Sequence, residues 1–207
     1  MLSFIKKHKK ISIIAGCVLT MLAILLCVLL IPGNGDNNGD TSEPTLTVQT
    51  SQKISLSGTD TFTLDVTISS LGEALYPAAS MSISFDASRL EFLGIEEGNV
   101  FIHSDNTSGQ ALPEWSYNTA TCNESGRINV MYLDMTGGKN AFSRDLLADD
   151  DNVVLRLKFR LRGSVRVGDV CDLIVEDAVF AASDETKSLA MTRDTLTVRN
   201  GRIVIGE

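Results

Sequence analysis

The chain has 207 residues, 43% of them hydrophobic, and its 18 Lys and Arg against 26 Asp and Glu give a formal net charge of −8. That balance argues against a nucleic-acid partner, because phosphate recognition rests on clustered positive charge. With His8 and His103 as its only histidines and no GxSxG, HExxH, Walker or GxGxxG pattern, the sequence also offers no constellation for catalysis.

Residues 1–10 form a basic segment carrying Lys6, Lys7, Lys9 and Lys10, and Ile11 to Ile31 follow as 21 residues without a charge. At 1.5 Å rise per residue such a run spans roughly the 30 Å hydrocarbon core of a bilayer, so a transmembrane helix is predicted over residues 11–31. A secretory signal peptide fits less well, since its apolar region is usually ~7–15 residues and ends at a small-residue cleavage site. Ile14 to Cys17 resemble a lipobox, but only six residues separate Lys10 from Cys17 and apolar positions continue beyond it. Lysines before the span and Asp36, Asp40 and Glu43 after it predict a single-pass protein of the cell membrane, its N-terminus cytoplasmic and its domain extracellular.

Residues 32–44, PGNGDNNGDTSEP, read as a flexible linker of turn-forming polar residues. Asn34, Asp36, Asn38 and Gly39 imitate part of a calcium loop, yet Thr45 stands where the final Glu belongs and no soluble helix flanks it. Without the four lysines of the anchor and the three acids of the linker, the domain from Pro44 keeps 14 basic and 23 acidic residues, a net charge of −9.

From residue 45 to 207 the pattern is one of strands and turns. Leu46 to Val48 open it, and Phe62, Leu64, Val66 and Ile68 alternate with Thr61, Thr63, Asp65 and Thr67 as in a half-buried strand. In SMSISF, Met81, Ile83 and Phe85 share one face and Ser80, Ser82 and Ser84 the other, which is small, flat and uncharged. Further strands are predicted at Leu90 to Ile95 and Ile128 to Leu133. Next comes a helical turn within Asn140 to Leu147, on the spacing of Phe142, Leu146 and Leu147. Leu155, Leu157, Phe159 and Leu161 then alternate with Arg156, Lys158, Arg160 and Arg162; Cys171 to Val175, Leu196 to Val198 and Arg202 to Ile205 complete the set. Asn200-Gly201 between the last two suits a type I′ hairpin turn. Many short strands, each apolar on one face, bury those faces against a second sheet, so the predicted class is an all-β sandwich.

Three features invite chemistry. The basic ladder Arg156, Lys158, Arg160, Arg162 sits in an acidic domain and is expected to meet acids on neighbouring strands, Asp65 among them. Trp115 and Tyr117 either stack on a sugar ring or pack into the core. Cys122 and Cys171 either pair as a disulfide or remain separate buried thiols. The acids at Glu96, Glu97 and Asp149 to Asp151 lie in turns, without the alternating spacing that wraps calcium.

ISFDASRLEFLGIEEGNVF, GRINVMYLDMTGG, DDNVVLRLKFRLRG and VEDAVFAASDE followed by NGRIVIG resemble, in order and approximate spacing from Leu46 to Gly206, the cohesin module. The resemblance implies a jelly-roll β-sandwich of about nine strands. It also implies non-catalytic binding of dockerin-bearing proteins through one flat sheet face, with calcium in the dockerin and no cofactor in this chain. Carried over residue by residue, the partner surface comprises Ala78, Ser80 and Ser82 from one strand, Val130, Tyr132 and Asp134 from another, and Met135 and Gly138 at its exit, with Tyr132 as anchor. Asn129, Met131 and Leu133 would then be buried, and the basic ladder would lie on the other sheet. Ala78 and Ser80 stand where familiar cohesins carry Asn or Asp, and the stretch from Gly138 to Asp151 is longer than usual. The expected function is a membrane-anchored module that tethers dockerin-bearing proteins at the cell surface; the alternative is a carbohydrate-binding sandwich using Trp115 and Tyr117.

Overall fold

A computed structural model describes residues 43–56, 61–100, 115–148, 152–183, 190–192 and 194–207. The transmembrane helix expected over residues 11–31, the basic segment before it, nearly all of the linker, His103 and Asp149 to Asp151 lie outside the described residues. Among the described residues no helix is long and apolar enough to cross a membrane.

The strands are β1 (Thr45–Val48), β2 (Thr50–Ser55), β3 (Thr61–Ile68), β4 (Ala78–Ser84), β5 (Leu90–Glu97), β6 (Arg127–Leu133), β7 (Val153–Leu161), β8 (Val170–Ala181), β9 (Thr197–Arg199) and β10 (Gly201–Gly206). They form a back sheet of order β5-β7-β3-β1-β9 and a front sheet of order β2-β10-β8-β4-β6. The inward parity of each strand supplies the core: Leu64 and Val66 on β3, Met81 and Ile83 on β4, Leu155, Leu157 and Phe159 on β7, Leu173 and Val175 on β8. Two aromatic clusters fill it. Phe92, Phe85 and Phe62 surround Phe159 with ring centroids 5.6–6.0 Å away, and Tyr132, Phe142 and Phe180 follow in a chain at 4.9 and 5.4 Å.

The tenth strand, β2, carries too little apolar alternation to be read from TSQKIS, and it exists because the chain changes sheets at Gln49. Gln49 donates its backbone N–H to the Asp65 carbonyl (2.9 Å) and accepts the Asp65 N–H on its side chain (3.2 Å), which holds the corner in place. The same change of sheet corrects the hairpin expected at Asn200-Gly201. β9 pairs with β1 in the back sheet, whereas β10 pairs with β8 and β2 in the front sheet. A Cβ on Gly201 would stand 2.6 Å from Val48 Cγ1 and 2.9 Å from the Gln49 carbonyl oxygen, so glycine is needed where the two sheet-changing corners touch.

The helical turn expected at Asn140 to Leu147 is a single 3₁₀ turn, Arg144–Leu146. A true helix, α1, lies instead at Thr119–Ser125. Its signals are local: the Asn118 side chain accepts from the Thr121 N–H (3.0 Å) and Gly126 ends it at φ +65. Asn123 of α1 hydrogen-bonds both the N–H (2.9 Å) and the C=O (2.8 Å) of Phe92, so its amide takes the place of a neighbouring strand on the β5 edge. Cys122 and Cys171 are buried, free thiols.

Candidate functional site

The outer face of the front sheet is a set of cross-strand rows centred on β4. Leu133 on β6, Ala78 and Ala181 on β8 form the first; Met131, Ser80 and Val179 the second; Asn129, Ser82 and Asp177 the third; Arg127, Ser84 and Ile174 the fourth. Because β4 offers only Ala and Ser outward, it is the floor of a shallow trough, walled on β6 by Leu133, Met131 and Asn129 and on β8 by Val179 and Asp177, with Ala181 leaving the first row open on that side. The Ser82 hydroxyl lies 2.9 Å from the Asn129 Oδ1 it donates to, so this hydroxyl is held across the strands. At the first-row end the surface is apolar: Leu133 is 53% exposed, Met131 57%, Met135 82% and Leu75 46%.

Of the residues expected to meet a partner, Ala78, Ser80 and Ser82 line this trough and Met135 is exposed at the β6 exit. Gly138 sits beside Leu75 at positive φ (+97), with its built Cβ 3.9 Å from Leu75 Cδ1. The expected parity of β6 is corrected. Val130 and Tyr132 face the core, Tyr132 at 0% exposure, while Asn129, Met131 and Leu133, the expected buried set, face out. The physical reason is in the strand itself: outward parity places Arg127 and Asn129 in solvent, whereas the reverse would bury a guanidinium and an amide. That polar pair was the available signal.

Asp134 also turns inward, toward its own loop. Its carboxylate accepts the Thr136 N–H (2.7 Å), the Thr136 hydroxyl (2.5 Å) and the Gly138 N–H (2.6 Å), and Thr136 Oγ in turn accepts the Asn140 N–H (3.1 Å). Burial pushes this carboxyl up, but the hydrogen bonds from Thr136, Gly138 and Asn140 outweigh it and hold the group below its ordinary range. The Tyr132 hydroxyl donates to the Asn140 carbonyl, closing the same loop from beneath, and burial with the nearby Asp134 charge raises the phenol strongly.

Trp115 and Tyr117 form no open platform. Trp115 packs on Tyr132 (5.4 Å) and Phe142 (6.2 Å). Tyr117 packs edge-on to Phe92 (5.7 Å) and accepts the Ile95 N–H on its hydroxyl (3.2 Å). Between them Ser116 pairs with Met131, so this segment covers the β6 edge and reaches to the back sheet.

On the back sheet the basic ladder is paired: Arg156 with Asp65 (3.1 Å), Lys158 with Glu96 (2.7 Å) and Arg160 with Glu91 (2.7 Å). Among the described residues no group of three or more His, Cys, Asp or Glu is arranged to hold a metal ion.

A family model described as Cohesin domain matches residues 44–198. No curated protein matches the chain. Among solved structures, the OlpA cohesin in a type I cohesin–dockerin complex from Clostridium thermocellum is similar at 16% identity and TM-score 0.55, over 79% of this chain and 99% of that one. The sixth cohesin of scaffoldin B from Acetivibrio cellulolyticus, solved with a Cel5 dockerin mutant, is similar at 17% identity and TM-score 0.55, over 79% and 99%. A non-cellulosomal cohesin from the archaeon Archaeoglobus fulgidus is similar at 14% identity and TM-score 0.53, over 80% and 93%. At these identities the likeness establishes the fold.

Proposed function

Because this chain belongs to the cohesin family, whose domains are non-catalytic, we propose that it docks a dockerin-bearing protein on the outer face of the front sheet. The observation that carries this reading is the β4 trough: a row of Ala78, Ser80 and Ser82, low enough for a helix to lie close, beside exposed Met131, Leu133 and Met135. Apolar side chains in the centre of a patch supply most of the binding energy, and hydroxyls beside them fix register. The back sheet offers no equal, since three cations of its ladder are already matched by acids.

In this reading residues 11–31 anchor the chain in the cell membrane with the domain outside, and residues 32–44 are the tether. Holding one binding module on a short linker raises the effective concentration of whatever it captures at the cell surface. Calcium belongs to the dockerin. Trp115 is half-buried against Tyr132 and Phe142, and Tyr117, though exposed, is turned edge-on to Phe92, so the two rings present no shared platform for the carbohydrate-binding alternative.

The test uses the compact unit Ser42–Glu207 as bait for the secreted proteins of the source organism, with and without a chelator. Calcium-dependent capture of dockerin-bearing proteins, lost in Ser82→Arg while thermal unfolding is unchanged, is the expected result. Retention on polysaccharide abolished by Trp115→Ala, or undiminished capture by Ser82→Arg, overturns it.

A further inference from the structure

The docking face is divided by chemistry along β4, and the division specifies its partner. Its first two rows are apolar on the flanks, with Leu133 and Ala181, then Met131 and Val179. The third row presents Asp177, directly opposite Ser82. β8 carries three acids. Asp172 is paired with Arg202 (2.7 Å) and Glu176 with Arg127 (2.5 Å). The Asp177 carboxylate is exposed and has no ion pair or hydrogen bond among the described residues.

Resting on the docking reading above, we propose that this face selects dockerins whose contact helix presents two apolar side chains four residues apart and a Lys or Arg four residues further on. Rows along β4 are two residues apart, about 6.7 Å. Four residues of an α-helix rise about 6.0 Å, so a helix laid along the trough matches three successive rows in step. The apolar pair covers Leu133 and Met131, and the cation meets Asp177. A helix with a neutral or acidic residue there strands the carboxylate in the interface without a counter-charge, which disfavours that helix. The helix reaches no further at this depth, because the Arg127–Glu176 pair crosses above the β4 backbone in the fourth row.

The experiment measures the affinity of the unit Ser42–Glu207, wild type and Asp177→Lys, for a panel of calcium-loaded dockerin modules with and without the apolar-apolar-cation spacing. Members that have the spacing bind the wild type, and Asp177→Lys weakens them on the order of tenfold or more. Reversing the dockerin's cation to Glu weakens wild-type binding and restores binding to Asp177→Lys. The urea midpoint of Asp177→Lys, an exposed substitution, stays at the wild-type value. Dockerins that bind equally to wild type and Asp177→Lys, while Ser80→Arg abolishes their binding, overturn this inference and leave the docking reading standing. Failure of the folded wild type to bind any dockerin overturns both.

Discussion

The Arg127 guanidinium on β6 and the Glu176 carboxylate on β8 meet at 2.5 Å although β4 runs between their strands. Strand neighbours lie about 4.8 Å apart, so this pair bridges two spacings, and it does so over Ser84, whose side chain is small enough to pass beneath. A register shift in the β4–β8 pairing between Ser82 and Ile83 supplies the extra residue that turns Glu176 toward Arg127. The serine row therefore has an open end and a bridged end.

Both partners of that bridge are substantially exposed, 51% and 35% at their side chains, so its worth is that of a surface pair. Arg127→Ala is expected to cost less than about 1 kcal/mol in urea unfolding. A loss of several kcal/mol would show that the pair is part of the sandwich's framework.

Gly201→Ala is expected to destabilise by about 1–3 kcal/mol, because its Cβ would be pressed between the Val48 side chain and the Gln49 carbonyl. Gly163→Ala, with nothing within 4 Å of its Cβ, serves as the control and should be neutral or slightly stabilising. Equal denaturant midpoints for the two variants would contradict the contact between the sheet-changing corners.

Tyr132→Phe removes the hydroxyl that donates to the Asn140 carbonyl while keeping the ring against Phe142 and Trp115. Stability is expected to fall by about 1–2 kcal/mol, the cost of a buried acceptor left without its donor. Dockerin affinity, measured by calorimetry where the variant is fully folded, stays at the wild-type value. A large affinity loss would place Tyr132 on the docking face after all.

Asp134 and Asp86 both have depressed carboxyl ionisation in the folded domain, the latter chiefly through the Ser88 hydroxyl at 2.5 Å. The sign follows from linkage: unfolding lets each group bind protons at a higher pH than the native state does. Their stabilisation is therefore complete above the ordinary Asp value of about 3.9 and disappears as pH falls through the lower folded values. Urea midpoints measured from pH 6 downward should decline on this limb, and Asp134→Asn should flatten part of it. A variant as acid-sensitive as the wild type would remove Asp134 from the cause.

Period-two alternation in TFTLDVTI, SMSISF and LRLKFRLR fixed which side of β3, β4 and β7 is buried, because in those strands each outward residue is polar and each inward one apolar. The family resemblance was equally legible, since it rests on the order of such strands. RINVMYL is less clean: five of its seven residues are apolar, Met131 and Leu133 dilute the polar parity of Arg127 and Asn129, and the family resemblance placed the wrong parity inward. Arg127 and Asn129 mark the outward parity, and packing against the second sheet takes Val130 and Tyr132 into the core and leaves Met131 and Leu133 exposed.

Asn200-Gly201 shows the same limit in a turn. A dipeptide fixes what its own backbone tolerates, which suited a hairpin, but the strands on either side belong to different sheets, β9 pairing with β1 and β10 with β8. Local sequence sets strand, face and cap, as Asn118 and Gly126 do for α1. Which strands meet, and so which small residues become the floor of a trough, is a matter of long-range pairing, and no window along the chain contains it.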